Sequence, residues 1–192
     1  MDIIVKTYQS PTLNEKEILR YGGMKNSTPE IAKILNDCLA EIDGKLNYSV
    51  CYLKTPITVN DDIDFKHFKV QSKDLIKNLS GYNNAIVFVA TVGIEIDRLI
   101  KKYSVISPVK ALLFQAIGAE RIESLCNAFC EDLKGEYTKV APRFSCGYGD
   151  FSLDYQEEIF KVLNPKKHIG VSLLDSKLML PTKSVTAVVG II

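Results

Sequence analysis

Residues 142–150, which read Pro-Arg-Phe-Ser-Cys-Gly-Tyr-Gly-Asp, hold the side chains of this sequence best suited to binding a small molecule. A proline, two glycines and the lack of periodicity predict an ordered loop rather than a strand or helix. Arg143 carries a planar, permanently charged guanidinium that suits a carboxylate. Tyr148 adds an aromatic ring and a hydroxyl, and glycine lets backbone groups come close to a ligand. Together these features predict a site for a zwitterionic, partly aromatic molecule.

The string Arg-x-x-x-Gly-Tyr is weak evidence alone, because an ordinary surface loop carries the same residue types. The blocks that follow it are residues 149–153, a helix ending near Leu163, and residues 169–176, 178–181 and 183–191. In order and spacing, this series resembles the activation domain of cobalamin-dependent methionine synthase, which binds S-adenosylmethionine. It resembles more closely the small free-standing proteins that consist of that domain alone. The close resemblance covers residues 142–191, and a looser one extends back to about Leu13.

The resemblance implies an α+β fold with a bent, mostly antiparallel sheet, flanking helices and one long central helix. A length of 192 residues favours a single domain, which we expect to span residues 1–192. The apolar content of 46% and the charged content of 24% are those of an ordinary globular protein.

The resemblance also implies which residues bind S-adenosylmethionine. The ligand-binding residues that it implies are Arg143, Phe144, Ser145, Cys146, Gly147 and Tyr148. Arg143 is expected to pair with the methionine carboxylate, and Tyr148 is expected to contact the ligand through its ring or hydroxyl. The backbone of the four residues between them is expected to bind adenine or the groups near the sulfonium.

Three further candidates come from carboxylates that contact the ligand in the family. The carboxylate that the family carries on its long helix aligns with Asn127 of this sequence, which is an amide. Glu131 lies one turn further on and is a second candidate. Glu136 is the candidate for the carboxylate that precedes the loop. The sequence also departs from the family, because Cys146 and Ser152 stand where prolines occur and a chain without tryptophan has no Asp-Trp motif. These departures put ligand affinity in question more than the fold.

The implied function is reactivation of a methionine synthase, in which S-adenosylmethionine is held over a cobalamin that a separate protein module carries. Cob(II)alamin is reduced by one electron and methylated. The implied partners are the cobalamin-binding module of methionine synthase or another corrinoid protein, together with a flavodoxin-type reductant. The sequence offers no catalytic residues in the form of a nucleophile–base pair, so we expect a component of a methyltransferase activity rather than a self-sufficient catalyst.

Two alternative functions stay open. The first is a docking module of the same fold with weak or no affinity for S-adenosylmethionine. The second is an independent methyltransferase with its own acceptor, which is disfavoured because the sequence lacks the glycine-rich strand–loop–helix of common methyltransferases and an evident base.

Composition argues against other classes of partner. The chain has 24 basic and 23 acidic residues, and a net charge of +1 gives no electrostatic case for nucleic acid or an anionic membrane. No apolar run approaches the ~20 residues of a membrane helix, and the N-terminus lacks a signal-peptide pattern, so we expect a cytoplasmic protein. The five cysteines have no disulfide or metal-ligand spacing, which predicts free thiols and no metal site.

Local patterns predict the helices that position the loop. Asn14, then Ser27 or Thr28, and Ser107 stand where helix N-caps are expected, the last two sites just before prolines. The longest helix is predicted to run from Ser107 to about residue 137 with apolar residues around most of its circumference. Gly118 within it predicts a close packing partner. The acidic residues expected on its solvated face are Glu120, Glu123, Glu131 and Asp132.

The strand predictions rest on apolar and β-branched runs. Residues 85–91 form a continuous apolar run, which is typical of a strand buried on both faces. Further strands are predicted over residues 47–59, with an interruption at Pro56, and over residues 63–70. Residues 178–181 and 185–192 read as two strands of a hairpin.

Overall fold

The computed structural model describes residues 2–192. The helices in this part of the chain are α1 (Glu15–Tyr21), α2 (Pro29–Ile42), α3 (Lys73–Leu79), α4 (Glu95–Ile106), α5 (Pro108–Glu136), α6 (Tyr155–Leu163) and α7 (Pro165–Ile169). The strands are β1 (Ile4–Tyr8), β2 (Tyr48–Pro56), β3 (Thr58–Val59), β4 (Ile63–Asp64), β5 (Lys69–Val70), β6 (Asn84–Thr91), β7 (Phe144–Ser145), β8 (Ser172–Leu173), β9 (Met179–Leu180) and β10 (Ser184–Ile191).

The main sheet has five strands in the order β1-β2-β6-β10-β7, and each neighbouring pair is antiparallel. Helices cover both of its faces. Strand β6 lies at the centre, and its side chains alternate between two separate apolar cores. Ile86 and Phe88 face the core shared with α2, α4 and α5, whereas Val87 and Val89 face the core shared with α3 and α6. The predicted mixed fold and the buried strand over residues 85–91 are therefore confirmed.

Helix α5 is the longest helix of the described chain, with 29 residues. It begins where Ser107 accepts a hydrogen bond from the backbone N–H of Lys110 and Pro108 fills the first turn, as predicted. At Gly118 an added Cβ would lie 2.7 Å from Ile96 of α4 and 2.8 Å from Lys183. Glycine thus allows α4 and the residue just before β10 to approach α5 closely, which confirms the packing prediction.

The strand predicted over residues 63–70 is wrong. The segment forms β4 and β5, which pair with each other across a tight turn. Lys66 adopts a φ of 69° in this turn, and its backbone N–H donates to the Asp64 carboxylate at 2.7 Å. Phe65 and Phe68 then stack with ring centroids 4.8 Å apart, so both rings are buried although the strand alternation fails.

The predicted hairpin at the C-terminus is also wrong. Strand β9 pairs with β8, while β10 pairs with β6 and β7. The apolar residues of β10 are buried on both faces, so this strand gains more from a place inside the main sheet than from an edge. Residues 181–183 carry the chain from the small β8–β9 hairpin into the main sheet.

No helix within residues 2–192 combines the length and the apolar character that crossing a membrane requires.

Candidate functional site

The loop over residues 142–150 starts as an edge strand of the main sheet. The prediction that it contains no strand is wrong for Phe144 and Ser145, which form β7 opposite Val188 and Ala187 of β10. Because side chains alternate along a strand, Arg143 and Ser145 point to one face of the sheet and Phe144 points to the other. This alternation decides which predicted residues meet in one cavity.

Beyond β7 the loop folds into a tight turn. The Gly147 N–H donates to the Phe151 carbonyl at 2.7 Å, and Gly147 has a φ of 87°, a conformation that favours glycine. Gly149 also has a positive φ, of 54°, and an added Cβ there would collide with the Asp74 carboxylate. The predicted glycine-dependent part of the loop therefore lies after Cys146.

Asp150 attaches the end of the loop to the start of α3. Its carboxylate accepts hydrogen bonds from the Ser72 hydroxyl and from the backbone N–H groups of Lys73, at 2.7 Å, and Asp74, at 3.2 Å. The Ser72 hydroxyl and these N–H groups lower the pKa of Asp150 below its usual value. The loop is thus held at both ends, by β10 before the turn and by α3 after it.

A cavity of about 410 Å³ opens between this loop, α5, α6 and the β9–β10 segment. Of the six residues predicted to bind ligand, four line this cavity; they are Arg143, Ser145, Cys146 and Tyr148. Phe144 lines a different cavity on the other face of β7 and belongs to the second apolar core. Gly147 shapes the turn but does not line the cavity. The volume lies in the range of small-molecule sites.

Arg143 is the cation of this cavity, and its partner is Glu123 of α5. Nη2 of Arg143 donates to the Glu123 carboxylate at 2.6 Å, while Nη1 is buried and has no hydrogen-bond partner within residues 2–192. Burial alone lowers the pKa of Arg143, but the neighbouring Cys126 and Glu123 outweigh burial and raise it. Arg143 therefore keeps its charge and has one donor group to offer.

The other predicted carboxylate candidates lie outside this cavity. Asn127 and Glu131 line a neighbouring cavity of about 310 Å³, behind Arg143, and Glu131 is exposed and paired with Lys134 at 2.7 Å. Glu136 is exposed at the end of α5 and lines neither cavity. The structure therefore does not bring these three residues together with Ser145, Cys146 and Tyr148.

Sequence reasoning missed two residues of the cavity. Glu123 was expected on a solvated face, yet it lines the cavity beside Arg143. It is four residues before Asn127, so both side chains lie on one side of α5. Gln156 also lines the cavity, is only 4% exposed, and has an Oε1 without a hydrogen-bond partner in the described chain. The sequence feature that could have identified Gln156 is its helical spacing, which places it on the same face of α6 as the apolar residues Ile159 and Leu163.

A further cavity, of about 420 Å³, lies beside Arg121 in the middle of α5 and shares no lining residue with the cavity at Arg143. Arg121 is fully engaged there, because it donates to the carbonyls of Pro11 and Thr12 and to the Glu120 carboxylate. Glu120 was expected on the solvated face, and this expectation is wrong, since it is 2% exposed and closes a buried ion pair. This arginine fixes the N-terminal segment, and all three of its guanidinium nitrogens already donate hydrogen bonds within the fold.

Three thiols that lie in or near the loop, one buried and two half-buried, form no reactive site. Burial raises the pKa of Cys126 and of Cys146 to about 12, and it also raises the pKa of Cys130. Such thiols stay protonated at neutral pH and are poor nucleophiles. Among residues 2–192, no group of three or more His, Cys, Asp or Glu side chains is arranged to hold a metal ion.

Comparison with solved structures finds this fold in a known protein. The crystal structure of the MetH reactivation domain bound to AdoHcy matches with a TM-score of 0.74 over 99% of this chain and 78% of that chain, at 15% sequence identity. No protein-family model and no curated protein matches the sequence. The structural match confirms the fold implied by the resemblance.

Proposed function

We propose that this protein binds S-adenosylmethionine in the cavity lined by Arg143 and Glu123 and presents its methyl group to a corrinoid carried by another protein. The observation that carries the proposal is the ion pair between these two residues, because it offers a charge of each sign at one end of a cavity of suitable size. The solved structure of similar fold, which carries AdoHcy, supports the same choice of ligand.

The amino-acid end of the ligand fits the ion pair. The buried Nη1 of Arg143 has no partner within residues 2–192 and can donate to a carboxylate, and charge-assisted pairs of this kind are the strong ones. Glu123 keeps a second carboxylate oxygen, which can accept from an α-ammonium group. Carboxylate and ammonium of one amino acid are bonded to the same carbon, so neighbouring charges of opposite sign are the arrangement that recognises them.

In this proposal Tyr148 contacts the ligand near its sulfonium. Its side chain lines the cavity and yet is 70% exposed, so it lies at the cavity mouth. The Phe144 ring supports it edge-on, with ring centroids 5.6 Å apart. An aromatic face at this point attracts a cationic group such as a sulfonium. The methyl group would then point outwards, towards an acceptor that arrives from solvent.

The acceptor in this proposal is cob(II)alamin on a separate corrinoid protein. The 192 residues contain no Asp-x-His-x-x-Gly string, the usual protein ligand motif for cobalt, and in this proposal the cofactor arrives on a partner. A flavodoxin-type partner would supply the one electron that reduces cob(II)alamin, and bound S-adenosylmethionine would then supply the methyl group and be left as S-adenosylhomocysteine. The residues of this chain bind and orient the ligand, and hold it where water is displaced from the amino-acid end.

The test mixes the protein with a corrinoid module from its host, a reductant and S-adenosylmethionine, and follows methylcobalamin by absorbance. We expect methylcobalamin to form faster with the protein than without it, and more slowly with Arg143→Ala. An equal rate without the protein, for every corrinoid module of its host, would show that the reactivation proposal is wrong. Calorimetry with S-adenosylhomocysteine tests ligand binding separately, and absence of binding at millimolar ligand would favour the docking module.

A further inference from the structure

Gln156 is a buried polar side chain that the contacts proposed above leave unused. It is 4% exposed, it lines the cavity, and its Oε1 has no hydrogen-bond partner within residues 2–192. Buried polar atoms in folded proteins are nearly always paired, so an unpaired amide oxygen on a residue that lines a cavity indicates a missing partner. The partner in this place is a group on the ligand.

The fold holds Gln156 in a fixed position. It lies in the first turn of α6, on the face that buries Ile159 and Leu163 in the second core. The next residue towards the N-terminus, Tyr155, is also held, because its hydroxyl accepts from the backbone N–H of Gln71 at 3.0 Å. An amide held in this way selects a ligand donor by position rather than adapting to any ligand.

The chemical surroundings of Gln156 differ from those of the ion pair. Glu123 and Arg143 come from α5 and the loop, whereas Gln156 comes from α6. The remaining lining of the cavity is neutral or apolar and includes Met179, Val185 and Thr186. A neutral acceptor in a cavity that a thioether and a valine also line suits a flat, uncharged group that carries N–H or O–H donors. It does not suit the charged amino-acid end.

We propose that Gln156 recognises the nucleoside half of the ligand by accepting a hydrogen bond from an N–H of the base or an O–H of the ribose. This assignment rests on the proposed function, because it takes S-adenosylmethionine and S-adenosylhomocysteine as the ligands. It makes Gln156 a specificity-determining residue, and it divides the cavity into an end that binds charge and an end that binds the nucleoside.

Calorimetry with two ligands tests the assignment. S-adenosylhomocysteine has both halves, while 5′-methylthioadenosine keeps the nucleoside and the thioether and lacks the amino acid. Gln156→Met keeps the length of the side chain and removes the amide, so we expect about tenfold weaker binding of both ligands. Arg143→Met should weaken binding of S-adenosylhomocysteine alone. The matched control is Gln71→Met, at an exposed glutamine outside the cavity, which should bind both ligands as the wild type does.

The outcomes separate this assignment from the proposed function. Wild-type affinity of Gln156→Met for both ligands would overturn the assignment and leave the proposed function intact. No binding of either ligand by the wild type would overturn both. If Gln156→Met does not fold, Gln156→Leu takes its place with the same expectations.

A third ligand distinguishes the base from the sugar. In S-inosylhomocysteine a carbonyl replaces the amino group of adenine. If the wild type binds it more weakly than S-adenosylhomocysteine and the Gln156 variant does not discriminate, the donor is the base amino group. If the wild type binds the two equally while the variant weakens both, the donor is a ribose hydroxyl. Both results support the assignment.

Discussion

Nη2 of Arg143 lies 2.6 Å from the carboxylate of Glu123, 20 residues earlier in the chain. The contact joins the middle of the long helix to the start of the loop, and it uses only one side of the guanidinium. The Arg143 side chain is 19% exposed and that of Glu123 is 39% exposed, so solvent screens the pair only in part. The free side of Arg143 is therefore oriented before any ligand arrives.

Arg143→Ala should remove most of the affinity for S-adenosylhomocysteine. Loss of one partner of a desolvated charge pair costs about 2–5 kcal/mol of binding free energy. Titration calorimetry on wild type and variant measures this difference. Arg98→Ala is the control, because Arg98 is exposed and its ion-pair partner, Glu95, lies on the same helix, outside the cavity. Equal affinities for the wild type and Arg143→Ala would remove Arg143 from the site.

Glu123→Gln and Asn127→Ala should differ in their effect on binding. Glu123 lines the cavity, so neutralising it removes a charged acceptor for the ammonium group and should weaken binding of S-adenosylhomocysteine by about 1.5–3 kcal/mol. Asn127 is exposed behind Arg143 and should be replaced without loss. Calorimetry on both variants measures the two losses of affinity for S-adenosylhomocysteine. A larger loss in Asn127→Ala would restore the position chosen by sequence alignment.

Asp150→Asn should destabilise the protein at neutral pH and not in acid. The pKa of Asp150 is lowered in the folded state, so its contribution to stability is fully present above the unfolded pKa of about 4 and is lost as pH falls through the lower folded value. Urea unfolding at a series of pH values measures the difference from wild type, which should shrink below about pH 4. Asp175→Asn, at an exposed turn, is the control. A difference that does not change with pH would contradict the role of the carboxylate charge.

Arg121→Met should destabilise the fold without a direct effect on the ligand. The change leaves Glu120 buried and unpaired, since the two side chains are 2% and 3% exposed, and should cost about 3–5 kcal/mol of unfolding free energy. The double variant Glu120→Gln with Arg121→Met should recover part of the loss. Urea unfolding measures stability, and calorimetry on the folded protein should show near wild-type affinity. Loss of affinity greater than that of Arg143→Ala would place the ligand in the cavity beside Arg121.

Thiol chemistry should be incidental to function. Burial raises the pKa of Cys146 to about 12, so iodoacetamide at pH 7 should modify it far more slowly than a free cysteine. Cys146→Ala should bind S-adenosylhomocysteine close to normally, because the backbone of the loop supplies the expected contacts. Mass spectrometry of the alkylated protein and calorimetry provide the measurements. Rapid alkylation that abolishes binding would make the thiol part of the site.

Features of the structure that depend on local chemistry could be predicted from the sequence. The apolar run of β6, the cap at Ser107 and the need for glycine at position 118 each depend on a few neighbouring residues or on a strong pattern. The loop was located correctly for the same reason. Arg143 and Tyr148 were both found to line the cavity, although the ligand contacts expected of them remain predictions.

The burial of a side chain could not be predicted from the sequence where it depends on segments that are distant in the chain. In the sequence, Glu120 and Glu123 are typical of a solvated acidic helix face. In the structure Glu120 is buried in an ion pair with Arg121, and Glu123 pairs with Arg143. Gln156 looks like an ordinary helical amide until β9 and the loop enclose it. The pairing of β9 with β8 likewise depends on which strands compete for the place beside β6, and periodicity carries no information about that competition.

The pairing of Phe144 and Ser145 with Val188 and Ala187 has a consequence for how such chains can diverge. One residue inserted between Arg143 and β7 would turn the guanidinium to the opposite face of the sheet, towards the apolar core. We therefore expect related proteins to keep the same number of residues between this arginine and the strand that pairs with β10. The exposed turn between β8 and β9 has no such constraint, so insertions and deletions should accumulate there.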